Sequence, residues 1–149
     1  MKILVINGPN LNMLGKRNPK IYGTKTLSDI ERDIASYAKE KGIDTEFFQS
    51  ACEGEIVNKL NMAYDNADGV IINAGAYTHY SYAIRDALEI LEVPKIEVHL
   101  SDIHAREAFR NISVIEEVCT FQIAGFGDKG YIMAVDKILE ILSEGNIKI

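Results

Sequence analysis

Residues 95–110 read Lys-Ile-Glu-Val-His-Leu-Ser-Asp-Ile-His-Ala-Arg-Glu-Ala-Phe-Arg, and they combine a strand pattern with a cluster of polar side chains. Two aliphatic residues, Ile96 and Val98, alternate with polar neighbours over the predicted strand 95–100. The polar pair, Glu97 and His99, falls on one face because side chains repeat every second residue along a strand. Hydroxyl, imidazole and guanidinium groups then follow in the connection. Because such groups are costly to gather at the end of a buried strand, the stretch predicts an active site.

The composition predicts one globular domain with an acidic surface. The chain has 149 residues, 47% of them hydrophobic and 26% charged, which is enough for a sizeable core and argues against disorder. Its formal charge of -6 offers no general basic surface for nucleic acid. No apolar run approaches the ~20 residues of a membrane span. The isolated Cys52 and Cys119 lack metal-ligand spacing and predict reduced thiols in the cytoplasm.

Outward from that strand, strand and helix signals alternate along the chain. The predicted strands are 2–6, 45–48, 70–72, 95–100 and 118–124, and the predicted helices are 26–42, 55–66, 81–91 and 131–143. Ser28 and Glu31 match a capping box for the first helix, and Tyr64 is placed on the buried face of the second. The alternation predicts a flavodoxin-like, doubly wound α/β domain over residues 1–149, with five parallel strands in the order 2-1-3-4-5.

Polar residues gather at the carboxyl ends of three predicted strands, where doubly wound sheets bind their ligands. The runs are Asn7-Gly-Pro-Asn10, Asn73-Ala-Gly75 continuing to His79, and His99-Leu-Ser101. The side-chain amide of Asn73 is expected at this edge of the sheet. His79 is predicted at the start of the next helix, where backbone N–H groups favour anions. A lone histidine there would more often cap or pack, but beside Asn73 and His99 a ligand-binding role is favoured.

The connection from Asn7 to Lys25 is far longer than the ~2–6 residues usual for such a loop, and its glycines and basic residues indicate a lid. The other interpretation is a mobile surface loop with solvated basic side chains. Within this loop, Tyr22 has an ordinary pKa near ~10, which a close cation such as Arg17 would lower. Tyr22 is therefore a candidate general base, the alternative being a half-buried tyrosine that fastens the loop.

The carboxylate of Glu97 can keep His99 charged and aligned, so His99 is a candidate proton donor. Arg106 and Arg110 would share a helical face and grip a carboxylate, although such a pair by itself is more often exposed. Asp86 follows an arginine on its helix and resembles half of a solvated charge pair. The sequence has no zinc spacing, no dinucleotide or P-loop motif and no candidate Schiff-base lysine, so it predicts neither metal nor cofactor.

These motifs recur together in one known family. The segments are Gly8-Pro-Asn-Leu-Asn12 with Arg17 and Tyr22-Gly23, Asn73-Ala-Gly75 with Thr78-His79, Arg85-Asp-Ala87, Ile96-Glu-Val-His-Leu-Ser101, His104-Ala-Arg-Glu107, Phe109-Arg110, Gly125-Phe-Gly127 and Gly130-Tyr131. In order and spacing they closely resemble type II 3-dehydroquinate dehydratase over essentially the whole chain. Departures from the family's usual residues occur at Tyr80, at Tyr82 and in the run Ala51-Cys-Glu-Gly54.

The resemblance implies a hydro-lyase that needs no metal or cofactor. It would convert the small anion 3-dehydroquinate to 3-dehydroshikimate by anti elimination through an enolate, in the shikimate pathway of aromatic amino-acid biosynthesis. In such an enzyme Tyr22 is the base, with Arg17 beside it. His99, oriented by Glu97, is the acid, and Asn10 holds a water against the enolate.

The resemblance also implies how the substrate is held and how the chains assemble. The implied substrate-binding groups are Asn73, His79, Arg110 and the backbone of Leu100 and Ser101. Arg106 would contact the lid, and Asp86 would reach the neighbouring subunit's site within trimers that assemble into a homododecamer. The alternative is a non-catalytic flavodoxin-like module. The Asn-Gly-Pro-Asn run has neither the phosphate loop of an FMN carrier nor the acidic residues of a phospho-receiver.

Overall fold

In the computed structural model the chain forms a five-stranded parallel sheet with helices on both faces. The structure describes the backbone of residues 1–147 and the side chains in that range except those of Tyr22, Asn146 and Ile147, so residues 148–149 of the predicted domain lie outside it. The strands are β1 (Lys2–Asn7), β2 (Asp44–Gln49), β3 (Gly69–Asn73), β4 (Lys95–His99) and β5 (Phe121–Ala124). The helices are α1 (Pro19–Tyr22), α2 (Leu27–Glu40), α3 (Glu53–Asn66), α4 (Tyr82–Ile90) and α5 (Lys129–Ile147). The observed order β2-β1-β3-β4-β5 confirms the predicted flavodoxin-like topology.

Each face of the sheet has its own apolar core, as the alternation of side chains along buried strands requires. One core packs Ile3, Val5 and Ile71 against α2 and α5. The other packs Leu4 and Ile6 against α3 and α4. Of the helices within the described residues, none is long and apolar enough to cross a membrane.

The parallel pairing brings polar residues together at the carboxyl edge of the sheet. Asn7 of β1 is paired in register with Asn73 of β3. Just beyond, the N–H of Gly8 donates to the carbonyl of Asn73 at 2.8 Å. A side chain at Gly8 would lie 2.4 Å from the carbonyl oxygen of Ala74, so only glycine lets these strand ends approach so closely.

The predicted capping box of Ser28 and Glu31 does not form. Helix α2 is instead capped by Thr26, whose hydroxyl accepts from the N–H of Asp29 at 3.1 Å while the Asp29 carboxylate accepts from the N–H of Thr26 at 3.0 Å. This start makes Leu27 the first helical residue, and Leu27 packs in the core with Ile30, Ile34 and Ala38.

Two further predictions about the elements are wrong. Tyr64 is 51% exposed, whereas Ile56, Leu60 and Ala63 of the same helix are buried. The connection between β4 and β5 holds three 3-10 turns, Ile103–Ala105, Ala108–Arg110 and Glu116–Val118, so the strand-and-helix alternation is interrupted there and β5 begins later than predicted. This connection carries no apolar stripe that a long helix could bury, since Phe109 and Ile112 are exposed.

Candidate active site

A cavity of about 220 Å³ lies at the carboxyl edge of the sheet, between the loops that follow β1, β3 and β4. Nine of the predicted site residues line it: Asn10, Arg17, Asn73, His79, His99, Leu100, Ser101, Arg106 and Arg110. Apolar walls come from Leu11, Leu14 and Ile103, with Tyr80 and Phe109 also contributing. The structure therefore brings the sequence-predicted residues of three separate loops into one site.

Glu97 and His99 form a buried pair behind this cavity. Glu97 is fully buried, and its Oε2 is hydrogen-bonded to Nε2 of His99. The hydroxyls of Thr78 and Ser113 donate to the same oxygen, each at 2.7 Å. Burial alone would raise the pKa of Glu97, but the hydrogen bond and charge of His99, with the two hydroxyls, outweigh it and hold that pKa below its usual value. The carboxylate is therefore charged, as the sequence predicts, and it aligns an imidazole that reaches the cavity.

The cavity is positively charged although the chain is acidic. Arg17, Arg106 and Arg110 all line it, and no aspartate or glutamate among the described residues does so. Arg110 pairs with Glu107, with Nε 3.3 Å from the carboxylate oxygen, and its guanidinium lies 4.8 Å from the ring centre of Phe109. Guanidinium groups bind carboxylates with charge-assisted hydrogen bonds, so the cavity is suited to a small anion.

The ends of β1 and β3 are fixed by a buried hydrogen-bond network. The hydroxyl of Tyr131, on α5, donates to Oδ1 of Asn7 at 2.5 Å and accepts from Nδ2 of Asn73 at 3.2 Å. Oδ1 of Asn73 accepts from the N–H of Gly75 at 3.2 Å. Burial raises the pKa of Tyr131, so this phenol remains neutral. The network holds the Asn73 amide in one orientation at the cavity wall.

Asn10 and His79 occupy positions that the sequence does not fully predict. Asn10 adopts the left-handed conformation, with φ of 71°, which asparagine tolerates better than most residues. His79 ends a 3-10 turn, Gly75–His79, three residues before α4, so the prediction that it begins that helix is wrong: Ser81 occupies the cap. Nδ1 of His79 instead lies 2.8 Å from the carbonyl oxygen of Ile112 and ties the turn to the β4–β5 connection.

The long loop after β1 forms one wall of the cavity. It contains a 3-10 turn, Leu11–Met13, and the short helix α1, which ends at Tyr22. Its far end is held by Lys25, whose ammonium lies 2.8 Å from Asp33 and 3.0 Å from Asp128. The Tyr22 side chain is outside the described residues, and its role as base remains a prediction, as does closure of the loop as a lid.

Arg106 and Arg110 do not share a helical face, because Arg106 lies between two 3-10 turns and Arg110 ends the second. They nevertheless line the same cavity. Asp86 is exposed on α4 and is not among the residues that line the cavity of its own chain. Its predicted role in a neighbouring subunit remains a prediction.

Sequence reasoning missed the side chains that support the site from behind. Thr78 was visible only as the neighbour of His79, and Ser113 lies in no periodic element. Tyr131 was visible as the residue after Gly130 at the start of the last helix. Their partners are far away in sequence, so no local pattern could assign them a role. Groups of three or more side chains able to hold a metal ion are not found within the described residues.

The fold and the cavity define the class of protein: a flavodoxin-like α/β enzyme with a buried carboxylate–imidazole pair behind a cavity that is suited to a small anion. The model of the family Dehydroquinase class II matches residues 1–139. A 3-dehydroquinate dehydratase from Thermotoga neapolitana is 55% identical over 146 residues, covering 98% of this chain and 99% of the relative. A second, from Caldicellulosiruptor bescii, is 56% identical over 142 residues, covering 95% of this chain and 98% of the relative.

A solved structure gives the same result. The crystal structure of type II dehydroquinase from Butyrivibrio crossotus superposes with a TM-score of 0.92 at 55% identity, covering 93% of this chain and 97% of that chain. The chain therefore belongs to the dehydroquinase class II family. This membership confirms the family resemblance seen in the sequence and leaves the FMN-carrier and receiver alternatives without support.

Proposed function

We propose that the chain is a 3-dehydroquinate dehydratase that removes water by anti elimination through an enolate, giving 3-dehydroshikimate. The observation that carries this proposal is the Glu97–His99 pair, which reaches a cavity lined by three arginines. Such a cavity suits a hydroxylated carboxylate, and a charged imidazole is a competent proton donor near neutral pH. The family and the names of its relatives support the choice of substrate.

The first step breaks the C–H bond at C2, next to the substrate ketone, because that proton is the acidic one. Tyr22 accepts the proton as a phenolate, and the electron pair moves to the ketone oxygen to form the enolate. Arg17, which lines the cavity, favours the phenolate form of a nearby tyrosine. Asn10 holds a water against the enolate oxygen, where fixed donors stabilise developing charge.

The second step breaks the C1–O bond. The enolate reforms the ketone, its electrons form the new carbon–carbon double bond, and His99 protonates the departing hydroxyl so that it leaves as water. Because Nε2 of His99 is bonded to Glu97, Nδ1 is the nitrogen assigned to this transfer. The acid and the base can each contribute ~10²–10⁴ in rate. Neither step uses a metal ion or a Schiff base.

The remaining groups position the substrate. Arg110 exchanges its contact with Glu107 for the substrate carboxylate, while the turn at Leu100 and Ser101 offers backbone groups. The N–H of Gly127 donates to the carbonyl of Leu100 at 3.0 Å and fixes that turn. Asn73 and His79 complete the proposed substrate contacts, and Arg106 contacts the lid. The enzyme would serve the shikimate pathway in the cytoplasm.

Asp86 is assigned to a neighbouring copy of the chain. It is exposed on α4 and does not line its own chain's cavity, which suits a residue that reaches the next subunit in a trimer. Four such trimers would form a homododecamer. Light scattering should then give twelve times the chain mass of 16.6 kDa, and a monomer mass would refute the assembly.

The reaction is tested by mixing the purified protein with 3-dehydroquinate in buffer containing a chelator and following the ultraviolet absorbance of the conjugated enone. Turnover is expected, and its absence would refute the proposal. Substrate carrying deuterium at C2 anti to the leaving hydroxyl should lose the label, whereas the syn label should be retained. Borohydride added with substrate should not inactivate the enzyme, because no imine forms; covalent trapping would contradict the mechanism.

A further inference from the structure

The carboxylate of Glu97 is held by an asymmetric set of donors. Oε2 receives the hydroxyls of Thr78 and Ser113 in addition to the His99 contact. Oε1 is buried and has no hydrogen-bond partner within the described part of the chain. A buried carboxylate is stable only when donors compensate for lost hydration, so these two hydroxyls decide which oxygen faces the imidazole.

The hydroxyl of Ser113 donates to Glu97 at 2.7 Å. Its oxygen accepts from the N–H of Ile115 at 3.3 Å and from the N–H of Glu116 at 3.2 Å. These contacts occupy its lone pairs, and its single hydrogen is directed at Glu97, which is closer at 2.7 Å than the Thr78 hydroxyl oxygen at 3.3 Å. Ser113 is therefore an oriented donor and not a freely rotating hydroxyl.

Ser113 also lies in the segment 110–114, whose first residue, Arg110, lines the cavity. This segment is tied to the turn after β3, because the N–H of Val114 donates to the carbonyl of Thr78 at 2.8 Å and the carbonyl of Ile112 contacts His79. A displacement of the segment therefore reaches Glu97 through Ser113.

We propose that Ser113 is a positioning residue for the proposed reaction, acting through Glu97 on the proton donor His99 and linking that donor to the segment that carries Arg110. This inference rests on the proposed function for its kinetic consequences. The Ser113 hydroxyl is not transferred and does not touch the substrate. It fixes the direction of the carboxylate and stabilises its charge, so that Glu97 aligns the imidazole without binding its proton too tightly for transfer to the C1 hydroxyl.

The test compares Ser113→Ala with Ser113→Thr, which keeps a hydroxyl at the same position. Ser113→Ala should lower kcat by about tenfold, a part of the ~10²–10⁴ that acid catalysis supplies, with KM changed less than about twofold. Ser113→Thr should restore most of the loss. In a Glu97→Gln background, Ser113→Ala should have no further effect on kcat, because the neutral amide no longer needs the donor.

An NMR titration of the imidazoles tests the same inference without substrate. In Ser113→Ala the carboxylate of Glu97 loses a donor, so it is less stable beside a neutral imidazole. Because a charged imidazole compensates for the lost donor, the His99 titration midpoint should move up by about half a pH unit. The other titratable or charged groups that face the pair are unchanged: Arg17, His79, Arg106 and Arg110 from the cavity, and Cys119 from behind Glu97. Comparison with His99→Ala assigns the signal.

The two readouts separate the two proposals. A wild type with no dehydratase activity would refute the proposed function, while the titration would still decide the role of Ser113. An unchanged His99 midpoint in Ser113→Ala would overturn the positioning role. So would a loss of kcat that Ser113→Thr does not restore, since that result would reflect only disturbed packing of the segment.

Discussion

Replacement of Gly8 by alanine should destabilise the protein, because the carboxyl ends of β1 and β3 meet there. The new Cβ would lie 2.4 Å from the carbonyl oxygen of Ala74 and 2.6 Å from its carbonyl carbon. Both are backbone atoms, so the strand ends must move apart. That movement breaks the 2.8 Å hydrogen bond from Gly8 to Asn73. The lost bond costs about 1 kcal/mol and the overpacking about 1–3 kcal/mol, giving about 3 kcal/mol in all.

The assay is thermal unfolding followed by circular dichroism, at one protein concentration because oligomers unfold in a concentration-dependent way. A loss of about 3 kcal/mol lowers Tm by about 6–12 °C for a chain of this size. Gly54→Ala is the matched control: Gly54 lies in α3, and a Cβ there meets nothing within 4 Å. Its Tm should be unchanged or slightly higher, since alanine favours helix. A Gly8→Ala protein that melts within about 2 °C of wild type would refute the steric argument.

Three other predictions concern single side chains. Tyr22→Phe should stay folded by circular dichroism and lose about 10²–10⁴ in kcat; full activity would remove Tyr22 from the base role. Because the pKa of Glu97 in the folded chain is below its ordinary value of 4.5, the charge of Glu97 stabilises the fold at pH values above 4.5. This contribution is lost as the pH falls through the lower pKa of the folded state. Below pH 4.5 the Tm of wild type should therefore fall more steeply with decreasing pH than the Tm of Glu97→Gln, and equal slopes of Tm against pH would contradict this. Burial raises the pKa of the Cys119 thiol to about 12, whereas Cys52 is exposed, so a thiol reagent at mildly alkaline pH should titrate one cysteine in the native protein and both after denaturation.

The fold was predictable because its determinants are local periodicities. Strand β1 is an unbroken apolar run, and α2 carries a stripe that includes Ile30 and Ile34. Both patterns indicate directly which side chains are buried, since apolar residues occupy the faces that pack in the core. The capping box was predicted at the wrong residues because two pairs, Ser28 with Glu31 and Thr26 with Asp29, have the required spacing. Only the packing of Leu27 at the first helical position selects the pair that starts at Thr26.

The cavity wall was predictable for a different reason: parallel strands end at one edge, so polar residues that follow separate strands must meet. The supporting groups were not predictable. Ser113 and Thr78 are 35 positions apart and contact each other at 3.3 Å only because the β4–β5 connection folds back over the turn after β3. That connection has no periodic pattern, and its three 3-10 turns are set by tertiary contacts that a single sequence does not display.

The neutral hydroxyls on Glu97 resolve a conflict within the site. Arginines that are suited to attract an anionic substrate also disfavour a further positive charge on His99, since like charges repel. Glu97, buried directly behind the imidazole, offsets that repulsion. A lysine or arginine bound to Glu97 would neutralise the offsetting charge, whereas Thr78 and Ser113 hold the carboxylate in place and leave its charge directed at His99. The cavity therefore combines arginines suited to an anion with a buried carboxylate placed behind the proposed acid, His99.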